Sequence, residues 1–387
     1  MTPDPRRIAV LIAGYCAFLN LYSPQALLPV LAHDFGVGAG RISTVMTASS
    51  IAIALTAPFT GVVADVLGRK RMIATAMIVI AIPMVMLATA HSVNGMVVWR
   101  FLQGLLLPPI FAVTVAYIGD EWPAAEVPGV AGLYVSGASL GGFSGRLIPS
   151  VLTDLIGWRM ALASLAALTL VGGIAFLLLL PRERHFVRSE GFSASLRQMA
   201  RHLRNPQLMA FYAVGFGVLF NFMAVFTYVN FHLAAPPYLF TPSMLGAIFV
   251  TYLAGTATAP LIGRAVDRLG RRKFVLLLLA AWGSGVLLLL AAPVAVIIAG
   301  LTLCAMCGMM CQAVSTSAVT ATAQDGRSSA VGLYVTSFYV GGSVGAFLPG
   351  VVWHSTGWPG VVAMTVTMLS LMAGAVALWW RESTTEA

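Results

Sequence analysis

The chain has 387 residues, 59% of them hydrophobic and 9% charged, with a mean hydropathy of +0.90 and a formal net charge of +9. A soluble domain needs roughly 25% charged residues to face water. This composition therefore excludes a water-soluble globular protein and requires one covered by lipid.

A spanning helix takes about 20 mainly apolar residues, and twelve such stretches succeed one another, at about 8–31, 42–63, 73–92, 96–119, 129–153, 159–180, 208–232, 243–263, 274–293, 295–319, 329–353 and 359–380. The first begins like a signal peptide, behind Arg6 and Arg7. It has no small-residue cleavage site and is long enough to span, so it is read as a helix. One long polar connection, Pro181 to Pro206, separates six stretches from six. The expected fold is an all-α membrane protein of 12 transmembrane helices in two pseudo-symmetric six-helix bundles, residues 1–180 and 207–387, joined by a cytoplasmic linker over 181–206.

Charge follows the weave. With the N-terminus in the cytoplasm, 18 of the 22 Lys and Arg residues fall on that side: Arg6 and Arg7, 69–71, six arginines from Arg182 to Arg204, five residues from Arg264 to Lys273, Arg327 and Arg381. Arg41 and Arg159 lie at the opposite ends, and Arg100 and Arg146 inside spans. This asymmetry places both termini in the cytoplasm and the chain in the cell's inner membrane. The basic balance thus reports topology and attraction to anionic lipid, with no nucleic-acid partner. Cys16, Cys304, Cys307 and Cys311 all fall in apolar spans and suggest no disulfide framework.

The chain repeats itself. Gly61-Val-Val-Ala-Asp65-Val-Leu-Gly68-Arg69-Lys70-Arg71 recurs as Gly263-Arg-Ala-Val-Asp267-Arg-Leu-Gly270-Arg271-Arg272-Lys273. Gly132-Leu-Tyr134-Val, with Gly141, Gly142, Gly145, Pro149 and Gly157-Trp158, recurs as Gly332-Leu-Tyr334-Val, with Gly341, Gly342, Gly345, Pro349 and Gly357-Trp358. Six spans per copy is an even number, so the copies run in the same direction. In transporters such a parallel repeat places the substrate site between the halves, near the midplane.

The doubled Gly-x-x-x-Asp-x-x-Gly-Arg element, at the 2–3 and 8–9 connections, resembles the signature of the major facilitator superfamily. The glycine pattern of helices 5 and 11 and the run Leu21-Tyr-Ser-Pro-Gln-Ala-Leu-Leu-Pro29 are similar to its bacterial drug-efflux and arabinose-efflux-like branch. The resemblance implies a cytoplasmic latch of Gly61, Asp65, Gly68 and Arg69 with Asp120 or Glu121, doubled at Asp267 and Arg271. On the residues alone, the glycines let helix ends approach closely and Asp65 can pair with Arg69. A basic loop that merely obeys topology is the competing reading.

Intramembrane charges are costly and mark function by default. Arg100 resembles the family's helix-4 arginine linked to proton handling, against a residue that snorkels to the interface. Arg146 is a gate, an anion contact, or a partner of Asp154. Gly137, Gly141, Gly142 and Gly145 suit close helix packing, as do Gly341, Gly342 and Gly345, but Ala138 stands where the family's antiporter motif has proline. No acid lies near the middle of a span, so Asp34, Asp154 and His232 are the candidates for titration. A cavity of Asn20, Gln25, Gln103, Asn221, Tyr228, Asn230, Gln312, Tyr334 and Tyr339 would suit amphipathic organic molecules, with interhelical hydrogen bonds as the plain alternative. Cys304, Cys307 and Cys311 have soft-ligand spacing but no second cluster, so no metal or cofactor is assigned.

The reading is a monomeric secondary transporter, not an enzyme, that exports small amphipathic organics (drug-like or sugar-like) as a proton antiporter by alternating access. The alternatives are a facilitator or uptake carrier for an organic anion, and a non-transporting receptor or scaffold.

Overall fold

The structure, a computed structural model, describes residues 4–181, 192–258, 260–323 and 326–380. The side chains at 62, 65, 192–196 and 328 lie outside that description, and with them the Asp65 carboxylate of the expected latch. Arg182, Arg184, Arg188 and Arg381 lie outside it too.

Every regular element described is helical: α1 (Pro5–Tyr22), α2 (Leu28–Asp34), α3 (Ala39–Leu67), α4 (Arg69–Val79), α5 (Ala81–Ala88), α6 (Val93–Glu121), α7 (Val127–Leu179), α8 (Phe192–His202), α9 (Pro206–Ala234), α10 (Pro242–Ala247), α11 (Thr251–Ala257), α12 (Leu261–Leu269), α13 (Arg271–Leu288), α14 (Val294–Thr322) and α15 (Arg327–Trp379), with a 3-10 turn at Ile248–Val250. Seven of the described helical stretches are long and apolar enough to cross a membrane, and α10 to α12 make an eighth that bends by 54°. α7 and α15 have 53 residues each. That is about 80 Å of helix against a hydrocarbon core of roughly 30 Å. Each breaks at a left-handed glycine, Gly157 (φ 81°) and Gly357 (φ 61°), and so underlies two of the predicted stretches. Helical segments underlie all twelve.

Local chemistry sets the boundaries. Asp4 caps α1 by accepting from the Arg6 N–H, and Ser92 caps α6 by accepting from the Gly95 N–H at 3.1 Å. Gly68 (φ 84°) and Gly270 (φ 73°) are each the whole connection between two helices. Only glycine occupies that backbone region without strain. The first glycine of each signature behaves otherwise than expected. An added Cβ at Gly61 or Gly263 meets nothing within 4 Å, so no close approach occurs there.

The chain divides into two compact units, Met1–Gly191 with Leu233–Phe249, and Phe192–His232 with Val250–Ala387. In the first, α1 lies along the first half of α7, the most extensive helix pairing described. A Cβ at Gly137, Gly141 or Gly145 would stand 2.2, 2.1 and 2.6 Å from the carbonyl oxygens of Leu11, Tyr15 and Leu19. Glycines four apart on one helix thus meet carbonyls four apart on the other, backbone on backbone. In the second unit Gly341 and Gly345 meet Phe216 O and Phe220 O in the same way, at 2.0 and 2.3 Å. Where the first unit has Gly137, the second has Ser337, whose hydroxyl donates to Tyr212 O at 2.9 Å. The linker region holds α8, which also belongs to the second unit: Ser329 Oγ donates to Gln198 Oε1 at 3.2 Å, and His202 Nε2 lies 3.2 Å from Gly326 O.

This geometry separates glycines that look alike in sequence. Gly141→Val should destabilise the purified protein by about 1–3 kcal/mol, because α1 and α7 must part to admit the side chain. Gly61→Ala, in open helical space, should be neutral or stabilising by about 0.5–1 kcal/mol. Thermal unfolding in detergent of the two variants checks both, and equal midpoints would refute the assignment.

Candidate functional site

Among the described residues, Arg100 and Arg146 are the charged side chains that are fully buried, and none is acidic. Arg100 sits at the centre of a network that a proline creates. α1 ends at Tyr22 because Pro24 has no N–H to give Asn20 O, and the Gln25 N–H turns back to Tyr22 O, leaving Leu21 O open. Arg100 donates to both carbonyls: Nη1 to Asn20 O at 3.0 Å, beside the Ser23 hydroxyl at 3.2 Å, and Nη2 to Leu21 O at 2.7 Å. Its remaining donors reach Gln103 Oε1, Ser49 Oγ at 2.7 Å and Val45 O at 3.4 Å. All five N–H groups are used, and every partner is neutral. Gln103 Nε2 passes the network to Asn20 Oδ1 at 3.0 Å, and Asn20 Nδ2 to Thr169 Oγ1 at 2.9 Å. Arg100 therefore pins the break in the first span to α3 and α6.

Arg146 is held differently. Nε donates to Gln25 Oε1 at 2.8 Å and Nη1 to Gly142 O at 2.7 Å, while the rings of Tyr22 and Phe249 face its Cζ at 3.8 and 4.5 Å. Asp154, its suggested partner, accepts from the backbone N–H of Ser243 at 2.9 Å and from the Ser243 hydroxyl.

At the arginine-rich end of the first unit, Arg69 pairs with Asp120 across the turn after the second span and the end of the fourth. Arg7 pairs with Glu126 at 2.7 Å, and Arg6 lies 4.8 Å over Trp122. At the other end, Asp34 accepts from Trp158 Nε1 at 3.0 Å and Arg159 Nη1 at 3.1 Å. These two donors hold its carboxyl below the usual carboxylate range, the indole bond being the larger cause. A group so placed stays ionised near neutral pH.

The second unit repeats the scaffold without the charge. α6 and α14 have 29 residues each and begin 201 apart (294 less 93), so Leu301 stands where Arg100 does and Cys304 where Gln103 does. Asn221, the counterpart of Asn20 at the same offset, gives Nδ2 to Met372 Sδ at 3.5 Å, and its Oδ1 has no hydrogen-bond partner among the described residues. Tyr228 donates to Ala346 O at 2.9 Å, Tyr334 pairs with Ser315 Oγ at 2.7 Å, and Asn230 Nδ2 bonds Phe226 O at 2.7 Å. Tyr339 packs edge-on to Phe338, and Gln312 is half-buried. Trp358, counterpart of Trp158, donates to Leu289 O at 2.8 Å and stacks on His232 at 5.1 Å. Cys304, Cys307 and Cys311 are free and buried.

The structure thus joins Asn20, Gln103 and Arg100 in one network and Gln25 with Arg146 in another. Ser49, Thr169, Ser243 and Phe249 are new members. Trp158 stood in a repeated Gly-Trp pair, but nothing in the sequence marks the other four.

The family model of the Major Facilitator Superfamily matches residues 10–250 and 219–387. The chain is 33% identical to the inner membrane transport protein YnfM of Escherichia coli (strain K12), over 95% of this chain and 89% of that one. It is 29% identical to the uncharacterized MFS-type transporter YybF of Bacillus subtilis (strain 168), over 98% and 93%. Among solved structures, a variant of the nucleoside transporter NupG matches with a TM-score of 0.78 at 16% identity, over 97% of this chain and 100% of that one. An inward-facing bacterial homolog of the human lysosomal transporter Spinster matches with a TM-score of 0.76 at 14% identity, over 98% of each.

Two outcomes follow from the networks. Arg100→Met takes from the buried Leu21 carbonyl and Gln103 amide oxygen the donor described for them and should cost about 3 kcal/mol or more, read as a lower unfolding temperature. Arg100→Lys, with three donors instead of five, should recover only part of it. Because the folded-state pKa of Asp34 is depressed, its contribution is present above the unfolded value of about 3.9 and lost as pH falls through the lower folded one. Below about pH 4 the wild type should lose stability more steeply than Asp34→Asn. Parallel unfolding curves would remove the bonds of Asp34 with Trp158 and Arg159 from the stability of this end.

Proposed function

We propose, from the premise that this chain belongs to the major facilitator superfamily, that it exports small amphipathic organic compounds by alternating access in exchange for protons. The membership itself makes it a multi-pass membrane transporter and not an enzyme. In this reading it is a monomer in the cell's inner membrane, with both termini cytoplasmic as the distribution of its arginines predicts.

The observation that carries the reading is the Arg69–Asp120 pair. A rocking carrier has to seal its cytoplasmic side while the other side is open, and this pair, within the first unit, braces the 2–3 turn to which the family resemblance gives that task. Gly68 gives the turn its shape, and Gly270 repeats it in the second unit beside Asp267 and Arg271. Export and proton exchange come from the likeness to the efflux branch. The alternative, a facilitator or uptake carrier for an organic anion, is favoured by one observation: the fully buried charges described are arginines.

Purified protein in liposomes with an internal pH dye and no imposed gradient separates the two. Proton movement driven by one of lipophilic cations, sugars or organic anions supports coupled transport of that class. Substrate flux without proton movement replaces the exporter with the facilitator. Asp120→Asn should insert normally yet weaken the closed state by about 1 kcal/mol, roughly fivefold in the open-to-closed ratio. Wild-type turnover by that variant would remove the pair from the closure.

A further inference from the structure

Arg100 and Arg146 are both buried cations of the first unit; Arg100 gives all five N–H groups to the scaffold, whereas Arg146 also lies against two aromatic rings. The two rings over Arg146 stabilise its charge. One of them, Phe249, ends the segment Leu233–Phe249, which covers one side of α7. The contacts run down α7 at intervals of four residues. The Phe249 ring lies over Arg146, a Cβ at Gly246 would stand 2.6 Å from the Ser150 side chain, and Ser243 is bonded twice to the Asp154 carboxylate. Gly246 has to be glycine for the cover to lie this close. The segment continues at Val250 into the other unit.

The arrangement is a covered cation with a fastening. Lifting the cover removes an aromatic face from Arg146 and opens that side of the guanidinium. The group that best fills the opening has a carboxylate for the N–H fork and a flat apolar body where Phe249 lay. Gln25 and Gly142 keep the guanidinium in place meanwhile, with the Tyr22 ring 3.8 Å from its Cζ.

We propose that Arg146 is the anion-recognising group of the transport site, with Phe249 as its gate and the Asp154–Ser243 bond as the bolt, and that the substrates are small flat organic acids. The proposal rests on the transporter reading and is independent of direction and of protons.

The test is binding rather than transport. The purified full chain in nanodiscs is titrated calorimetrically with benzoate and naphthoate, and with their uncharged amides. The acids should bind at least about tenfold more tightly than the amides, and Arg146→Gln should abolish that preference. Equal binding of acid and amide, or a preference that survives Arg146→Gln, overturns the assignment. If Arg146→Gln does not fold, the arginine reagent phenylglyoxal, read by peptide mass, replaces it. Labelling of Arg146 should be slow in the wild type, at least about fivefold faster in Asp154→Asn and Phe249→Ala, and suppressed by naphthoate. Labelling unchanged by either substitution and by naphthoate also overturns it. Lipophilic cations that drive protons in liposomes, with no acid preference in nanodiscs, would sink this inference while leaving the exporter standing.

Discussion

The contact on which the rest of each unit depends is a helix backbone resting directly on another. Where Gly141 faces Tyr15 O, there is no room for a single methyl group. In lipid, helices gain little from hiding apolar surface, because the solvent is equally apolar. Packing and backbone approach have to bring them together instead. The spacing of four keeps each glycine opposite a carbonyl, so the register of α1 against α7 is fixed as well as its distance. Every side chain discussed on these helices inherits its position from that register, including Asn20, Tyr22 and Arg146.

The same register makes the two units comparable position by position, and they turn out chemically unlike. The first unit spends a buried arginine to repair the break that Pro24 makes in the first span. The second keeps the helix pairing but has Leu301 and Cys304 at the corresponding places, and a methionine sulfur beside Asn221. Duplication fixed the packing surfaces, which tolerate little change. The polar interior was free to diverge, since each network has only to satisfy its own donors and acceptors. Symmetry in this chain belongs to the backbone and asymmetry to the chemistry.

Much of this architecture was legible in the residues. Apolar runs gave the spans, the repeated Gly-x-x-x-Asp-x-x-Gly-Arg element gave the family, and glycines four apart marked the close helix pairs. Gly61 and Gly263 show where that reasoning fails. Identical letters in a repeated motif did not tell which glycine serves a turn and which faces open space, because that depends on the neighbouring helix. The polar residues stand out against their apolar helices, but their partners are not foreseeable from the sequence. Ser49, Thr169 and Phe249 are ordinary residues of apolar helices and gain significance only from a helix distant in sequence. Arg146 illustrates this best: its nearest acid in the chain, Asp154, is bonded to Ser243, whereas its neighbours Tyr22 and Phe249 lie more than a hundred residues away on either side.

The connections made of one glycine bear on how such a chain can change over evolutionary time. At Gly68, Gly157, Gly270 and Gly357 the polypeptide passes from helix to helix with no slack, so added residues there would have to rotate an entire helix or be expelled. New loops, recognition sequences or appended modules are thereby excluded from these corners. In sequence, the polar stretch between Pro181 and Pro206 is the internal place with room for them. Variation in length among descendants of this chain should accumulate there, while the corners hold their residue count.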